Sequence, residues 1–191
     1  MEETTLIVPT DRCLLRPTTT RDYDALVAGI GAPEFPRELP LADWYRQGKL
    51  KSWLDSILAM SANGRACLFS IDLRTGERCV GQVSLAQRDQ SASWNLAFWL
   101  HPSHWGRGLA LETGAATVRY AFTVMSVQEV WAGAALWNRR SMKTLLQLGL
   151  LPIQEVETLN SEPKSQNAFR AFSVSRECWM RTFLESSGDS T

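Results

Sequence analysis

No charge of either sign predominates in this chain: 20 Lys and Arg stand against 20 Asp and Glu over 191 residues. A neutral total lacks the footprint that draws proteins onto phosphate backbones or anionic lipid, so no direct nucleic-acid binding is expected. Long apolar runs are missing too. The longest fall well short of the roughly 20 residues that span a bilayer, which argues against a membrane protein. The opening MEETTLIVPT is acidic and lacks the basic region and apolar stretch of a secretory signal, so a cytoplasmic protein is expected. Cysteine is scarce and badly placed for chemistry: Cys13, Cys67, Cys79 and Cys178 show none of the close paired spacings of zinc or dithiol sites. Counting outward from the turn at Thr75 and Gly76 sets Cys67 near Ser84 and Cys79 near Asp72, so these two should not face each other. Reduced structural cysteines and no metal site are expected.

What is present is an ordinary apolar share, 45%, enough in a chain of this length for one good core. A single domain is expected over 1–184, with 185–191 a disordered polar tail. RCLLRP reads as a strand, followed by a helix capped by Thr19 or Thr20 and closed by glycines. APEFPRELPLADWY crowds three prolines into eight residues and reads as an ordered loop. KLKSWLDSILAMSANG has helical apolar spacing and stops at Asn63 and Gly64. ACLFSIDL, RCVGQVSLAQ and SASWNLAFWL, joined by short turns, form an antiparallel meander. The next helix carries an apolar stripe at Leu111, Ala115, Val118, Phe122 and Met125. After it come a strand, VQEVWAGAALW, a helix opened by Asn138 and ended by Gly149, and two more strands, LPIQEVETL and AFRAFSVS. The order predicts an α+β fold with a mixed, mostly antiparallel sheet and one parallel crossover in its middle.

One stretch carries chemistry. In LHPSHWGRGLALETG a strand stops at a proline, crosses Gly106 and Gly108 and restarts as a helix. Such a turn presents unpaired N–H groups at the positive end of the helix dipole, a ready phosphate site, and glycine lets a ligand approach the chain. Two phosphate motifs fail against it. A P-loop needs Lys then Ser or Thr where Leu109 and Ala110 stand. A dinucleotide fingerprint needs Gly or Ala at Leu111 and an acid ending the next strand, which reads GAALW.

The residues Trp105 to Ala110, WGRGLA, resemble motif A of the GNAT acetyltransferases, in which Gln or Arg, two residues, a glycine, one residue and a glycine or alanine open the helix that cradles acyl-CoA. Trp105 in the first place is similar to the ribosomal-protein N-terminal acetyltransferases of the RimJ and RimL type, which commonly show YWGxGxA. RCLLRP, VGQVSL and NRRSMKTLLQLGL, the last similar to NxxSxxxLxxLGF, extend the resemblance over about residues 12 to 175. It implies a three-layer GNAT fold whose strands splay around the cofactor. It also implies pyrophosphate on the N–H groups of Arg107, Gly108, Leu109 and Ala110, and pantetheine pairing like a strand with Trp99 and Leu100. Asn138 would contact pantetheine or simply cap its helix; Arg107 would touch phosphate or simply be solvated; Trp105 reads as packing.

The implied reaction is attack of a neutral amine on the thioester of acetyl-CoA, which needs a base or water path, oxyanion donors and an acid for sulfur. Asn95 stands at the catalytic position where many relatives place a glutamate, and Leu145 where many place a tyrosine. Ser141 matches the serine that the ribosomal branch uses as acid, and Glu157, with Glu155 on the same strand face, lies where that branch carries a carboxylate. His101 and His104 border the pyrophosphate in this pose, too far from the thioester to act as bases. Phe35, Trp44 and Trp94 are candidates for walling the acceptor pocket. The expected activity is N-acetylation of a primary amine, preferably an α-amino group of a protein N-terminus or small molecule, by a monomer or homodimer. Asn95 and Leu145 leave open a catalytically idle acyl-CoA sensor of the same fold, and a third reading is an enzyme using another phosphate cofactor, such as NAD.

Overall fold

The computed structural model describes residues 6–88, 92–158 and 168–188. Its strands are β1 (Val8–Pro9), β2 (Cys13–Pro17), β3 (Ala66–Leu73), β4 (Gly81–Gln87), β5 (Ser93–Leu100), β6 (Glu129–Ala135), β7 (Leu151–Thr158) and β8 (Ala168–Ser175). The helices are α1 (Tyr23–Ile30), α2 (Pro40–Arg46), α3 (Leu50–Ala62), α4 (Leu109–Thr123), α5 (Arg139–Gln147) and α6 (Arg176–Gly188). The sheet runs β1-β2-β3-β4-β5-β6-β8-β7. It is antiparallel in the pairings β1–β2, β2–β3, β3–β4, β6–β8 and β7–β8 and parallel between β5 and β6, the α+β class expected.

Contacts divide the chain into two compact units, Met1–Ala86 with Ala97–Thr117, and Gln87–Leu96 with Val118–Thr191. In the first, α1 and α3 bury Leu26, Ile30, Leu50, Leu54 and Ile57 against Ala66, Leu68 and Trp99. The 4 and 3 spacing of Leu50, Leu54 and Ile57 is the helical period that the sequence shows, and each such side chain contributes about 1.5–3 kcal/mol on burial. Thr19 caps the turn before α1 through a capping box with Asp22. In the second unit, Ser93, Trp94 and Asn95 pair in parallel with Glu129, Val130 and Trp131, and β6 then pairs with β8 along its whole length.

Three expectations need correction. The proline-rich loop contains helix α2, because Pro40 stands at its first position, where a missing N–H costs nothing. The apolar stripe of α4 is rotated: Ala115 is exposed, Leu111 and Met125 are half-buried, and Thr113 and Thr117 are buried instead. Each threonine satisfies its hydroxyl on the preceding turn, Thr113 Oγ1 to Leu109 O at 2.8 Å and Thr117 Oγ1 to Thr113 O at 2.8 Å, so a polar residue can face the core. α6 carries helix into the expected tail as far as Gly188; Asp189–Thr191 lie outside the described residues. Cys67 pairs with Leu85, next to Ser84 as the turn count predicts, and all four cysteines are free. No helix among the described residues is long and apolar enough to cross a membrane.

Candidate functional site

In the first unit, β5 ends at Leu100 and a short turn, Pro102–His104, leads into the glycine segment. The turn closes on itself, His104 N–H to His101 O at 2.9 Å and Trp105 N–H to Pro102 O at 3.1 Å. The Trp105 indole N–H donates to Leu100 O at 2.9 Å, and its ring lies 6.5 Å from Phe35. Trp105 and Phe35 therefore brace the turn. Gly106 and Gly108 adopt φ of +73° and +74°, the left-handed region that other residues enter at a cost of about 1–2 kcal/mol. A Cβ at Gly106 would meet nothing within 4 Å, and one at Gly108 only Arg12 Nη2 at 3.5 Å. The glycines are not packed against protein; they keep open space above the backbone.

From Gly106 to Leu111 no amide N–H finds an acceptor among the described residues; the first to do so is Glu112, which donates to Gly108 O at 3.1 Å. These groups stand at the N-terminus of the fifteen-residue α4, where the dipole favours an anion. N–H groups without partners are costly, and this row runs from the exposed Gly106, Arg107 and Gly108 to the buried Leu109, so beside the open space it is a site for a polyanion such as a diphosphate. The fit to the pyrophosphate of acetyl-CoA is good on this ground alone.

The loop is held from outside by residues that local sequence patterns do not reveal. Arg12 Nη1 donates to Arg107 O at 2.7 Å while Arg12 Nε pairs with Glu112 Oε2 at 2.6 Å. Glu112 also receives Thr10 Oγ1 at 2.6 Å and the Arg12 amide at 2.7 Å. Burial alone would raise the Glu112 carboxyl, but the bonds from Thr10 and Arg12 and the Arg12 charge overcome it and hold it below its ordinary value. On the other flank Arg107 Nη1 meets His104 Nδ1 at 2.9 Å, and His104 Nε2 meets Glu77 Oε2 at 3.2 Å. An arginine only donates, so Nδ1 accepts and the proton lies on Nε2, facing Glu77. Burial lowers the His104 pKa, with Glu77 opposing and Arg107 and His101 reinforcing, so the imidazole is neutral at pH 7.

Below β5 lies a cavity of about 50 Å³. Leu41 of α2 and Trp53 of α3 face Leu68, Phe98 and Trp99 of the strands across it, with Gln82 and Ser84 its polar residues. Trp99 is fixed from two sides. Its indole N–H donates to Gln82 Oε1 at 3.0 Å, and its ring lies so close to Gly29 that a Cβ there would overlap it. Gln82 in turn reaches Thr18, whose hydroxyl bonds Ser70 at 2.8 Å; Ser70 bonds Asp22, and Asp22 takes two bonds from Arg16. Phe35 and Trp44 do not line the cavity: Phe35 packs on Trp105, and Trp44 stacks on Trp53 at 5.8 Å.

The second unit holds the remaining candidates. Trp94 and Asn95 are half-buried on β5, opposite Val130 and Trp131. Asn138 caps α5 by accepting the Ser141 amide at 3.1 Å, so its capping role is realised. The Ser141 hydroxyl has no partner among the described residues, unlike the threonines of α4, and it is half-buried. Leu145 is 1% exposed and belongs to the core. Glu157 pairs with Phe169 through the backbone, but its side chain, like that of Glu155, lies outside the described residues.

A family model described as acetyltransferase (GNAT) domain matches residues 12–151. The chain is 26% identical over 146 residues to the uncharacterized N-acetyltransferase YoaA of Bacillus subtilis, covering 75% of this chain and 81% of that one. Among solved structures, Mycobacterium smegmatis RimJ in complex with CoA-disulfide superposes with a TM-score of 0.74 at 17% identity, over 95% of this chain and 94% of that one. A chimera of the spermidine N-acetyltransferase SpeG from Vibrio cholerae and hSSAT superposes with a TM-score of 0.71 at 12% identity, over 88% of this chain and 98% of that one. With the glycine loop, its unpaired amides and the family match in agreement, the chain belongs to the GNAT acetyltransferase family and is an acetyl-CoA-dependent N-acetyltransferase.

Proposed function

We propose that this enzyme, working in the cytoplasm, transfers the acetyl group to an α-amino group, on a protein N-terminus or a small molecule, in preference to lysine side chains and polyamines. The observation that carries this reading is the make-up of the cavity beside Trp99. No charged side chain lines it, and its polar groups are engaged within the protein: Gln82 between Trp99 and Thr18, Ser84 toward Ala97 O at 3.5 Å. An ammonium entering such a wall would lose its hydration without a carboxylate to replace it. The amine that reacts there is best neutral before it arrives. At pH 7 an α-amine with pKa near 8 is about 10% neutral and a lysine near 10.4 only about 0.04%, a difference of roughly 3.4 kcal/mol. Asn95, where relatives carry a carboxylate, removes the base that would offset it.

Acetyl-CoA supplies the acyl thioester. The chain's amides from Arg107 to Ala110 bind its pyrophosphate, and Trp99 and Leu100 align its pantetheine arm. Ser141 donates a hydrogen bond to the departing sulfur, a role supported by a hydroxyl not used within its own helix. A thiolate with pKa near 8.5 leaves fairly well unaided, so Ser141→Ala should lower turnover about ten- to a hundredfold with acetyl-CoA affinity unchanged. Steady-state kinetics beside calorimetry checks this, and unaltered turnover would pass the role to water. The acceptor reading is tested by following CoA release with amino-terminal peptides, amino acids, polyamines and aminoglycosides side by side. Turnover of α-amines that rises steeply from pH 7 to 8 is expected; robust lysine or polyamine acetylation at pH 7 without α-amine activity contradicts it.

A further inference from the structure

We propose that Glu77, His104 and Arg107 form a positioning chain that holds the Arg107 guanidinium ready for a phosphate of acetyl-CoA, Arg107 being the residue that binds and His104 the one that sets its place. The proposal rests on the reading of the glycine loop as the pyrophosphate site. Arg107 is exposed and stands between two glycines in left-handed conformation, so neither neighbour in the chain has a side chain to restrain its own. An unrestrained arginine there would surrender most of its rotamer freedom on meeting a phosphate. His104 removes that loss beforehand. It is 7% exposed, fixed by the turn that its own amide closes on His101, and it accepts from Arg107 Nη1 at 2.9 Å.

Glu77 completes the chain. By taking the Nε2 proton of His104 at 3.2 Å it selects the tautomer whose Nδ1 lone pair faces Arg107. With the other tautomer, or with a charged imidazole, an N–H would confront an N–H and Arg107 would be released. One bond from Nη1 to His104 leaves the rest of the guanidinium fork free for an anion, on the same loop whose amides from Gly106 to Leu111 are unpaired. Arg12, bonded to Glu112 and to the Arg107 carbonyl, fixes the backbone of this residue while His104 fixes its side chain.

The test is a double-mutant cycle on acetyl-CoA affinity, read by calorimetry on the full-length protein, with Gly108→Asp as a separate control of the loop itself. Arg107→Ala should weaken binding about tenfold, the scale of a hydrogen bond to a charged group. His104→Phe should weaken it about fivefold, and the double variant no further than Arg107→Ala alone. His104→Asn, which retains an acceptor near the place of Nδ1, should bind within about twofold of the wild type. Wild-type affinity in His104→Phe or Arg107→Ala, or losses that multiply in the double variant, would overturn the chain. Should His104→Phe fail to fold, imidazole nitrogen spectra of the wild type decide instead. Nδ1 unprotonated both free and saturated with acetyl-CoA is expected, and a change of tautomer on binding contradicts the proposal. If Gly108→Asp folds and binds normally, the loop reading itself fails; if it abolishes binding while the cycle shows no coupling, only this inference does.

Discussion

Gly108 and Asp22 are the two positions where a single side chain decides most. Gly108 has φ of +74° and open space above it, with Arg12 Nη2 the nearest atom to the place a Cβ would take. Gly108→Asp would place a carboxylate where a diphosphate must approach, yet Asp tolerates the left-handed region and would stand beside Arg12. The fold should persist and acetyl-CoA affinity should fall at least a hundredfold, measured by calorimetry with a thermal melt as control. Asp22, 6% exposed, takes a forked pair of bonds from Arg16 together with the Ser70 hydroxyl. Burial alone would raise its pKa; the bonds from Arg16, the Thr19 amide and Ser70 and the charge of Arg16 overcome this and lower it. A depressed carboxyl lends stability that is complete above the unfolded value near 3.9 and is lost as pH falls through the folded one. Melting temperature should therefore drop on acidification below about pH 4. Asp22→Asn should cost about 3 kcal/mol at pH 7, by leaving Arg16 half-paired, and should flatten that acid limb; an acid limb as steep as the wild type's would contradict the assignment.

At the scale of elements, helix α1 meets strand β5 at one point that admits no side chain. The Trp99 ring lies over Gly29, so Gly29→Ala must push the indole off Gln82 or lift the helix. A cost of about 1–3 kcal/mol in chemical denaturation is expected, with a shifted tryptophan emission reporting the displaced ring; a variant that shows neither change would contradict the contact. How far elements were legible follows from what a local pattern can encode. β3 and β8 are bounded as ACLFSIDL and AFRAFSVS suggest, because alternation and flanking turns are local signals. The buried face of α4 was not legible, since Thr113 and Thr117 look polar until their hydroxyls are seen to bond the preceding turn. α2 was hidden by Pro40, a breaker everywhere except at a helix's first position. The glycine loop was legible as a phosphate site, but Arg12 was not, because its partner Glu112 is a hundred residues away along the chain.

At the scale of the whole molecule, the bare amides of the loop from Gly106 to Leu111, flanked by Arg12 and Arg107, suit an anion, while the lining of the cavity beside Trp99 holds no charged side chain. On the function proposed above, that division separates the two substrates by chemistry, a polyanionic cofactor at the loop and a neutral amine at the cavity. The fold alone does not choose the acceptor, since the same architecture superposes on RimJ and on a spermidine acetyltransferase chimera. The measurement that bears most directly on this account is amide exchange, read residue by residue in nitrogen-labelled protein with and without saturating acetyl-CoA. The N–H groups of Arg107, Gly108, Leu109 and Ala110, unpaired in the free protein, should shift and slow in exchange by about tenfold or more as the pyrophosphate takes them. Saturation binding that leaves those four amides unchanged would contradict the account.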